Sequence, residues 1–119
     1  MRKVLIVENH TDMREILVRV IELMGFDAIT STNGKEGVEK ALAEKPDLIL
    51  MDIMMPEMDG WEATRILRAN PETKDIPILA ATVFTRPADL QKCIDAGCND
   101  YIVKPFTVKD LRKKIQALI

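Results

Sequence analysis

The chain has 119 residues, of which 47% are hydrophobic and 30% charged, with 17 basic and 19 acidic side chains. This length predicts one domain, residues 1–119, with a core that buries roughly two-thirds of the surface exposed by the unfolded chain. The near balance of charge excludes a field that would attract nucleic acid or an anionic membrane. No apolar stretch reaches the roughly 20 residues that span a bilayer, and the first apolar run is too short for a secretion signal. We therefore expect a cytoplasmic protein.

Five short apolar runs predict five strands, at residues 4–7, 26–30, 48–51, 77–81 and 101–103. After each run, apolar residues recur every three or four positions, which predicts five amphipathic helices. Thr11 is predicted to cap the first helix and Gly25 to end it. The predicted inward-facing residues are, helix by helix, Met13, Ile16, Leu17, Val20, Ile21 and Met24; Val38, Ala41 and Leu42; Ala63, Ile66 and Leu67; Leu90, Cys93 and Ile94; Val108, Leu111, Ile115 and Leu118.

Strands that alternate with helices through short connections predict right-handed crossovers and a parallel sheet covered by helices on both faces. For five strands the expected order is 2-1-3-4-5, a flavodoxin-like α/β sandwich of three layers in which the winding reverses between strands 1 and 3. The most apolar runs, at 4–7, 48–51 and 77–81, fit the interior of such a sheet. The runs at 26–30 and 101–103 fit its edges.

Polar residues leave the predicted strands at one edge of the sheet. Glu8 and Asn9 follow the first strand, Asp52 the third, Thr82 the fourth and Lys104 the fifth. Because neighbouring strands lie about 4.8 Å apart, the first four should share a pocket, and Lys104, roughly 10 Å from Asp52, could reach it through its long side chain. A lone aspartate there would more often only end a strand. Five polar residues that converge where α/β sheets bind their ligands favour a functional site.

These five side chains are rich in oxygen and include no thiol or imidazole, which favours a hard cation, Mg²⁺ before Zn²⁺. The hydroxyl and ammonium groups facing such a cation could hold phosphoryl oxygens. A carboxylate can attack phosphorus to form an acyl phosphate, which makes Asp52 the candidate acceptor. The two cysteines, Cys93 and Cys98, have no second pair and no nearby histidine, so we expect reduced thiols that pack in the core.

Several motifs follow one another at a characteristic spacing: VLIVEN at 4–9, D-x-x-M-P-x-M-D-G at 52–60, Thr82, Tyr101 and the Lys104-Pro105-Phe106 triplet. On these motifs the chain resembles, over its whole length, a response-regulator receiver domain of two-component signalling, similar to the chemotaxis-receiver type. The resemblance implies a Mg²⁺-dependent phosphorelay in which Asp52 accepts a phosphoryl group from a phosphohistidine. The donor would be a sensor histidine kinase or a histidine phosphotransfer protein.

The resemblance also implies a role for each of the other site residues. Mg²⁺ would be held by Glu8, Asn9, Asp52 and the backbone carbonyl of Met54. Thr82 and Lys104 would bind phosphoryl oxygens, Tyr101 would move inward as Thr82 shifts, and the Lys104-Pro105 bond would be cis. The protein would be no enzyme for another substrate, because it would catalyse only its own phosphorylation and dephosphorylation.

The sequence departs from the family pattern in two places. Asn9 stands where the family usually has a second acidic residue, so the site has one charge fewer and we expect weaker Mg²⁺ binding. Met54 and Phe84 lie two residues after Asp52 and Thr82, and Val83 replaces a smaller residue, so apolar cover should slow hydrolysis of the phosphorylated form.

The partner and the output are less clear from the sequence. In the family the fourth helix, fifth strand and fifth helix usually form the partner face, and here they carry Tyr101, Lys109, Arg112, Lys113 and Lys114. We expect the output to come from another protein, unless the natural chain continues past Ile119. One alternative is a pseudo-receiver, motivated by Asn9, that binds a partner without phosphorylation. The other, a flavin- or nucleotide-binding enzyme, lacks a glycine-rich phosphate loop after the first strand.

Overall fold

The computed structural model describes residues 2–119, and each element overlaps the run or the helical pattern that predicted it. The strands are β1 (Lys3–Val7), β2 (Asp27–Ser31), β3 (Leu48–Asp52), β4 (Ile78–Thr82) and β5 (Asp100–Val103). The helices are α1 (Thr11–Leu23), α2 (Gly34–Glu44), α3 (Gly60–Ala69), α4 (Pro87–Ala96) and α5 (Val108–Leu118).

The five strands form one parallel sheet in the order β2-β1-β3-β4-β5, which confirms the predicted flavodoxin-like α/β arrangement. All residues of β3 are buried. This strand has a neighbour on each side and helices over both faces, so an uninterrupted apolar sequence is what its position requires. The strands β2 and β5 lie at the edges, as predicted.

Side-chain alternation along the strands divides the core between the two faces of the sheet. One face packs against α2, α3 and α4, and the other against α1 and α5. Leu5 and Met51 belong to the first face, whereas Ile6 and Leu50 belong to the second. Asp52 follows Met51, so its side chain leaves the sheet on the same side as Leu50, at the carboxyl edge.

Both cysteines are free and buried, as predicted. The indole Nε1 of Trp61 donates a hydrogen bond of 3.3 Å to the Cys93 sulfur, and the Thr64 hydroxyl lies 3.7 Å from the Cys98 sulfur. Trp61 also stacks on Phe84, with 5.5 Å between ring centroids. These thiols and aromatic rings therefore tie α3 to α4 and to the segment after β4.

One predicted helix cap is wrong. Thr11 is the first residue of α1, and His10, in an extended conformation, occupies the cap position without a side-chain hydrogen bond to the helix. The side chain of His10 is turned instead toward Glu8.

Four residues predicted to face inward are exposed: Ile16, Ile66, Ile94 and Val108. Each lies at the margin of the apolar stripe of its helix. A helix presses only a limited stripe against a sheet, so the residues beside that stripe face solvent even when they are apolar. Within residues 2–119, none of the helices combines the length and the apolar character needed to cross a membrane.

Candidate functional site

The ends of three strands bring Glu8, Asp52 and Lys104 together. Val7 pairs with Met51, so the residues that follow, Glu8 and Asp52, leave β1 and β3 side by side. Lys104 follows β5, where its backbone N–H donates a 2.7 Å hydrogen bond to the Thr82 carbonyl. Its side chain then extends across the end of β4 toward β3.

The Lys104 ammonium group bridges the two carboxylates. Its nitrogen lies 2.8 Å from Oε1 of Glu8 and 3.2 Å from Oδ1 of Asp52. Glu8 is 1% exposed and Asp52 is 4% exposed, so these are contacts within the interior. Lys104, which was expected to reach Asp52 from two strands away, thus forms a direct ion pair with it.

Charge in this cluster is distributed unequally between the two acids. Burial, reinforced by Glu8, raises the pKa of Asp52 to about 6, although Lys104 opposes the increase. Burial acts to raise the pKa of Glu8 as well, but hydrogen bonding with Lys104, with Asp52 and with the backbone of His10 outweighs it and lowers that pKa. Burial likewise acts to lower the pKa of Lys104, but the two carboxylates outweigh it and raise that pKa. Lys104 is therefore held as a cation, with Glu8 as the more strongly stabilised anion.

Two oxygen atoms of the predicted metal-binding residues have no hydrogen-bond partner. They are Oδ2 of Asp52 and Oδ1 of Asn9, and both atoms are buried. Buried polar atoms are normally paired, and an unpaired one indicates a water, an ion or a functional role. These atoms supply the oxygen chemistry that a hard divalent cation requires, so the residues present fit the predicted Mg²⁺.

An imidazole also lies at the site. Nδ1 of His10 is 3.2 Å from Oε2 of Glu8, and ligand atoms of His10, Glu8 and Asp52 all lie within 4.8 Å of one another. His10 was not among the residues predicted to form the site. The available signal was position, because His10 comes two residues after Glu8, in the same segment that leaves β1.

Comparison with known proteins identifies the fold family. The family model of the response regulator receiver domain matches residues 4–116. The chain belongs to this family. Its fold is similar to that of the chemotaxis protein CheY4 of Vibrio cholerae, with a TM-score of 0.94 and 31% identity over 100% of this chain and 99% of that one.

Two further relatives are a response regulator and the receiver domain of a sensor histidine kinase. The polar-differentiation response regulator DivK of Brucella anthropi is 35% identical over 99% of this chain and 96% of its own length. The receiver domain of the sensor histidine kinase PA1611 of Pseudomonas aeruginosa, solved with magnesium in its active-site cleft, has a TM-score of 0.91 and 31% identity over 98% of this chain and 96% of that one. The chain spans about half the length, 45% to 48%, of several curated relatives described as probable transcriptional regulators.

Among the described residues, the side chains of Thr82, Tyr101 and Met54 make no hydrogen bond to the side chains of Glu8, Asp52 or Lys104. Thr82 is buried, and its hydroxyl accepts a 3.0 Å hydrogen bond from the backbone N–H of Phe84. Tyr101 is half-buried, and its ring centroid lies 5.7 Å from the Lys114 ammonium. Met54 is 55% exposed. The peptide bond between Lys104 and the following proline is cis, in agreement with the resemblance.

Proposed function

We propose that Asp52 is the phosphoacceptor of this receiver domain and that the donor is a phosphohistidine of a sensor histidine kinase or histidine phosphotransfer protein. The observation that supports the proposal is that the two oxygens of the Asp52 carboxylate have different surroundings. Oδ1 is bound by the Lys104 ammonium, whereas Oδ2 is buried without a partner at the carboxyl edge of the sheet. Receiver domains interact with histidine kinases, which makes such a donor the expected partner class.

In the proposed step, a carboxylate oxygen of Asp52 attacks the phosphorus of the phosphohistidine. The new P–O bond forms as the P–N bond breaks, the electron pair of that bond returns to the imidazole, and an acyl phosphate results. Lys104 contributes a fixed positive charge for the phosphoryl oxygens, at a site where little solvent screens it. Hydrolysis of the acyl phosphate would restore Asp52, so the chain acts as a phosphoacceptor and processes no separate substrate.

Receiver domains bind Mg²⁺ at an acidic pocket, and the residues here fit that ion. We propose that Glu8, Asn9, Asp52 and the backbone carbonyl of Met54 would hold it, and that its charge would offset that of the phosphoryl oxygens. Asn9 brings an oxygen but no charge, so the ionised site carries minus two from its acids instead of minus three. Because hard cations depend on ligand charge, Mg²⁺ binding should be weaker than at a site with three carboxylates.

The proposed switch begins at Thr82. Its hydroxyl accepts a hydrogen bond from the backbone N–H of Phe84 and makes none to Asp52, so its own hydrogen remains available for a phosphoryl oxygen. A conformer in which Thr82 and Lys104 reach the phosphoryl group would be favoured only after phosphorylation, which shifts the population. Tyr101 would follow Thr82 inward.

The interaction face proposed to change with Tyr101 consists of α4, β5 and α5, and the output protein that reads it is unassigned. The basic residues of α5 there are Lys109, Arg112, Lys113 and Lys114. Phe84, stacked on Trp61, and the exposed Met54 would flank the phosphoryl group. Their apolar cover should hinder the attacking water, so the phosphorylated form should persist for minutes or longer.

Incubation with acetyl phosphate and Mg²⁺, followed by intact-protein mass spectrometry, tests the proposal. The wild type should gain one phosphoryl mass, and Asp52→Asn should gain none. Asp95→Asn is the matched control, because it removes an exposed carboxylate of α4 that only bonds Gln91, and it should be phosphorylated like the wild type. A wild-type protein that gains no mass would favour the pseudo-receiver, which binds its partner without phosphate.

A further inference from the structure

His10 holds a position beside the acidic cluster that the proposed phosphoacceptor chemistry does not use. Its ring nitrogen Nδ1 lies 3.2 Å from Oε2 of Glu8, at the long end of the range for a hydrogen bond. The side chain is 72% exposed, so the imidazole stands at the mouth of the site while Glu8 and Asp52 form its floor. It is the single histidine of the chain.

The Lys104 ammonium occupies only part of the oxygen atoms of the cluster. It binds Oε1 of Glu8 and Oδ1 of Asp52. It does not bind Oε2 of Glu8, which faces His10, or the two buried oxygens without partners, Oδ2 of Asp52 and Oδ1 of Asn9. The ligand atoms left for a metal are therefore one nitrogen and several oxygens.

We propose that His10 is a nitrogen ligand of this metal site and that it makes the site prefer a divalent transition metal of the zinc class over Mg²⁺. The inference rests on the metal site of the proposed function and assigns its selectivity. Imidazole is a preferred ligand of zinc, nickel, copper and iron, whereas Mg²⁺ is bound by oxygens and retains several waters.

The spacing of the atoms fits this assignment. Bonds from zinc to imidazole nitrogen and to carboxylate oxygen are each about 2.0–2.2 Å long, so two ligands of one tetrahedral ion lie roughly 3.3–3.5 Å apart. The observed separation of 3.2 Å between Nδ1 of His10 and Oε2 of Glu8 is just below that interval, so a small side-chain adjustment would reach it. An ion could therefore be accepted without moving the backbone of the β1–α1 segment.

The charge of the site also favours a metal of the zinc class over Mg²⁺. Asn9 replaces a carboxylate, and Lys104 neutralises one of the two remaining negative charges. Both effects weaken the binding of a hard cation, which depends mainly on ligand charge. A bond from imidazole nitrogen to a borderline-soft metal depends less on net charge, so the same changes reduce zinc binding less.

The competing explanation is that His10 only pairs with Glu8. The backbone N–H of His10 also donates to Oε2 of Glu8, at 3.2 Å, so a purely structural role would leave both side chains where they are. That explanation predicts equal effects of a His10 substitution on every metal, whereas a ligand role predicts a selective effect.

Isothermal titration calorimetry with ZnCl₂ and with MgCl₂ on the full chain separates the two explanations. The wild type should bind Zn²⁺ roughly a hundredfold more tightly than Mg²⁺. His10→Ala should lose more than about tenfold in Zn²⁺ affinity and change less than about twofold toward Mg²⁺. Asp12→Ala removes an exposed charge from the first turn of α1 and is the matched control, which should leave both affinities within about twofold.

Nitrogen-15 NMR of the single imidazole gives a readout that does not depend on affinity. Addition of Zn²⁺ should shift one ring nitrogen of His10 to a metal-bound position, whereas Mg²⁺ should leave both unshifted. The proposal is overturned if Zn²⁺ leaves the imidazole resonances unchanged, or if His10→Ala binds Zn²⁺ as tightly as the wild type does. Tight binding that persists in His10→Ala would mean that the oxygens of Glu8, Asp52 and Asn9 hold the metal without the imidazole.

The proposed function can be judged separately from this inference. If Asp52 is phosphorylated by acetyl phosphate with Mg²⁺ while Zn²⁺ fails to reach His10, only the selectivity inference is wrong. If Zn²⁺ binds through His10 and Asp52 accepts no phosphoryl group, the metal site stands and the phosphoacceptor proposal is wrong.

Discussion

Replacement of Lys104 by methionine removes the ammonium group that balances two buried carboxylates. The nitrogen lies 2.8 Å from Glu8 and 3.2 Å from Asp52, and the lysine side chain itself is only 15% exposed. Methionine retains much of the apolar stem, so Lys104→Met changes charge far more than volume. In the variant the folded state holds two neighbouring carboxylates without this cation, whereas the unfolded state hydrates both.

The expected loss of stability follows from the two contacts. A hydrogen bond to a charged group contributes about 1.5 kcal/mol, so the loss of two costs about 3 kcal/mol. This is the lower end of the cost of breaking a buried ion pair, about 3–5 kcal/mol. The lower end applies because Asp52, with a pKa already raised to about 6, can take up a proton and relieve part of the repulsion. For a chain of this size the melting temperature should fall by roughly 10 °C.

Urea unfolding followed by far-UV circular dichroism at pH 7 with EDTA measures this loss. Lys109→Met, an exposed lysine of α5, is the matched control and should change the free energy of unfolding by less than about 0.5 kcal/mol. In the Asp52→Asn background the cost of Lys104→Met should decrease by about 1–2 kcal/mol, because one of the two negative charges is already absent. A cost below about 1 kcal/mol, or one that is unaffected by Asp52→Asn, would refute the reasoning.

Three other substitutions probe the packing behind the site. Gly60→Ala should lower the free energy of unfolding, measured in urea, by more than about 2 kcal/mol, because a Cβ atom there would lie 2.5 Å from the backbone oxygen of Asp52. An unchanged free energy of unfolding would contradict this contact. Arg68→Ala should lower the free energy of unfolding by about 2 kcal/mol in the same assay, since the guanidinium donates to the Ile76 carbonyl at 2.7 Å and to further acceptors. A loss of less than about 0.5 kcal/mol would show these hydrogen bonds to be dispensable. Burial raises the pKa of the Cys98 thiol to about 11. The free energy of unfolding should therefore decrease by about 1.4 kcal/mol per pH unit as the pH rises above about 9, because the unfolded thiol ionises first. Thermal melts of Cys98→Ala should show a flatter decline.

The sequence by itself determined the topology of this protein and the positions along the chain of its main site residues. Alternation of apolar runs with helical patterns specifies a parallel five-stranded sheet, because each element buries the face that its own period makes apolar. Parallel strands end at a common edge, so the residues after β1 and β3 had to be neighbours, with the residue after β5 two strands away from β3. The local pattern therefore sufficed to place Glu8, Asp52 and Lys104 along one edge of the sheet.

Only the tertiary structure decided the atomic contacts. Whether Lys104 reaches Asp52, and whether Thr82 turns toward Phe84 or toward the acids, depends on sheet twist and on rotamers chosen by the surrounding packing. The same holds for His10, whose approach to Glu8 replaced the predicted cap of α1. Periodicity reports which face of an element is apolar, but it carries no information on side-chain direction at the end of a strand, where neighbours from distant parts of the chain set the charge and the available space.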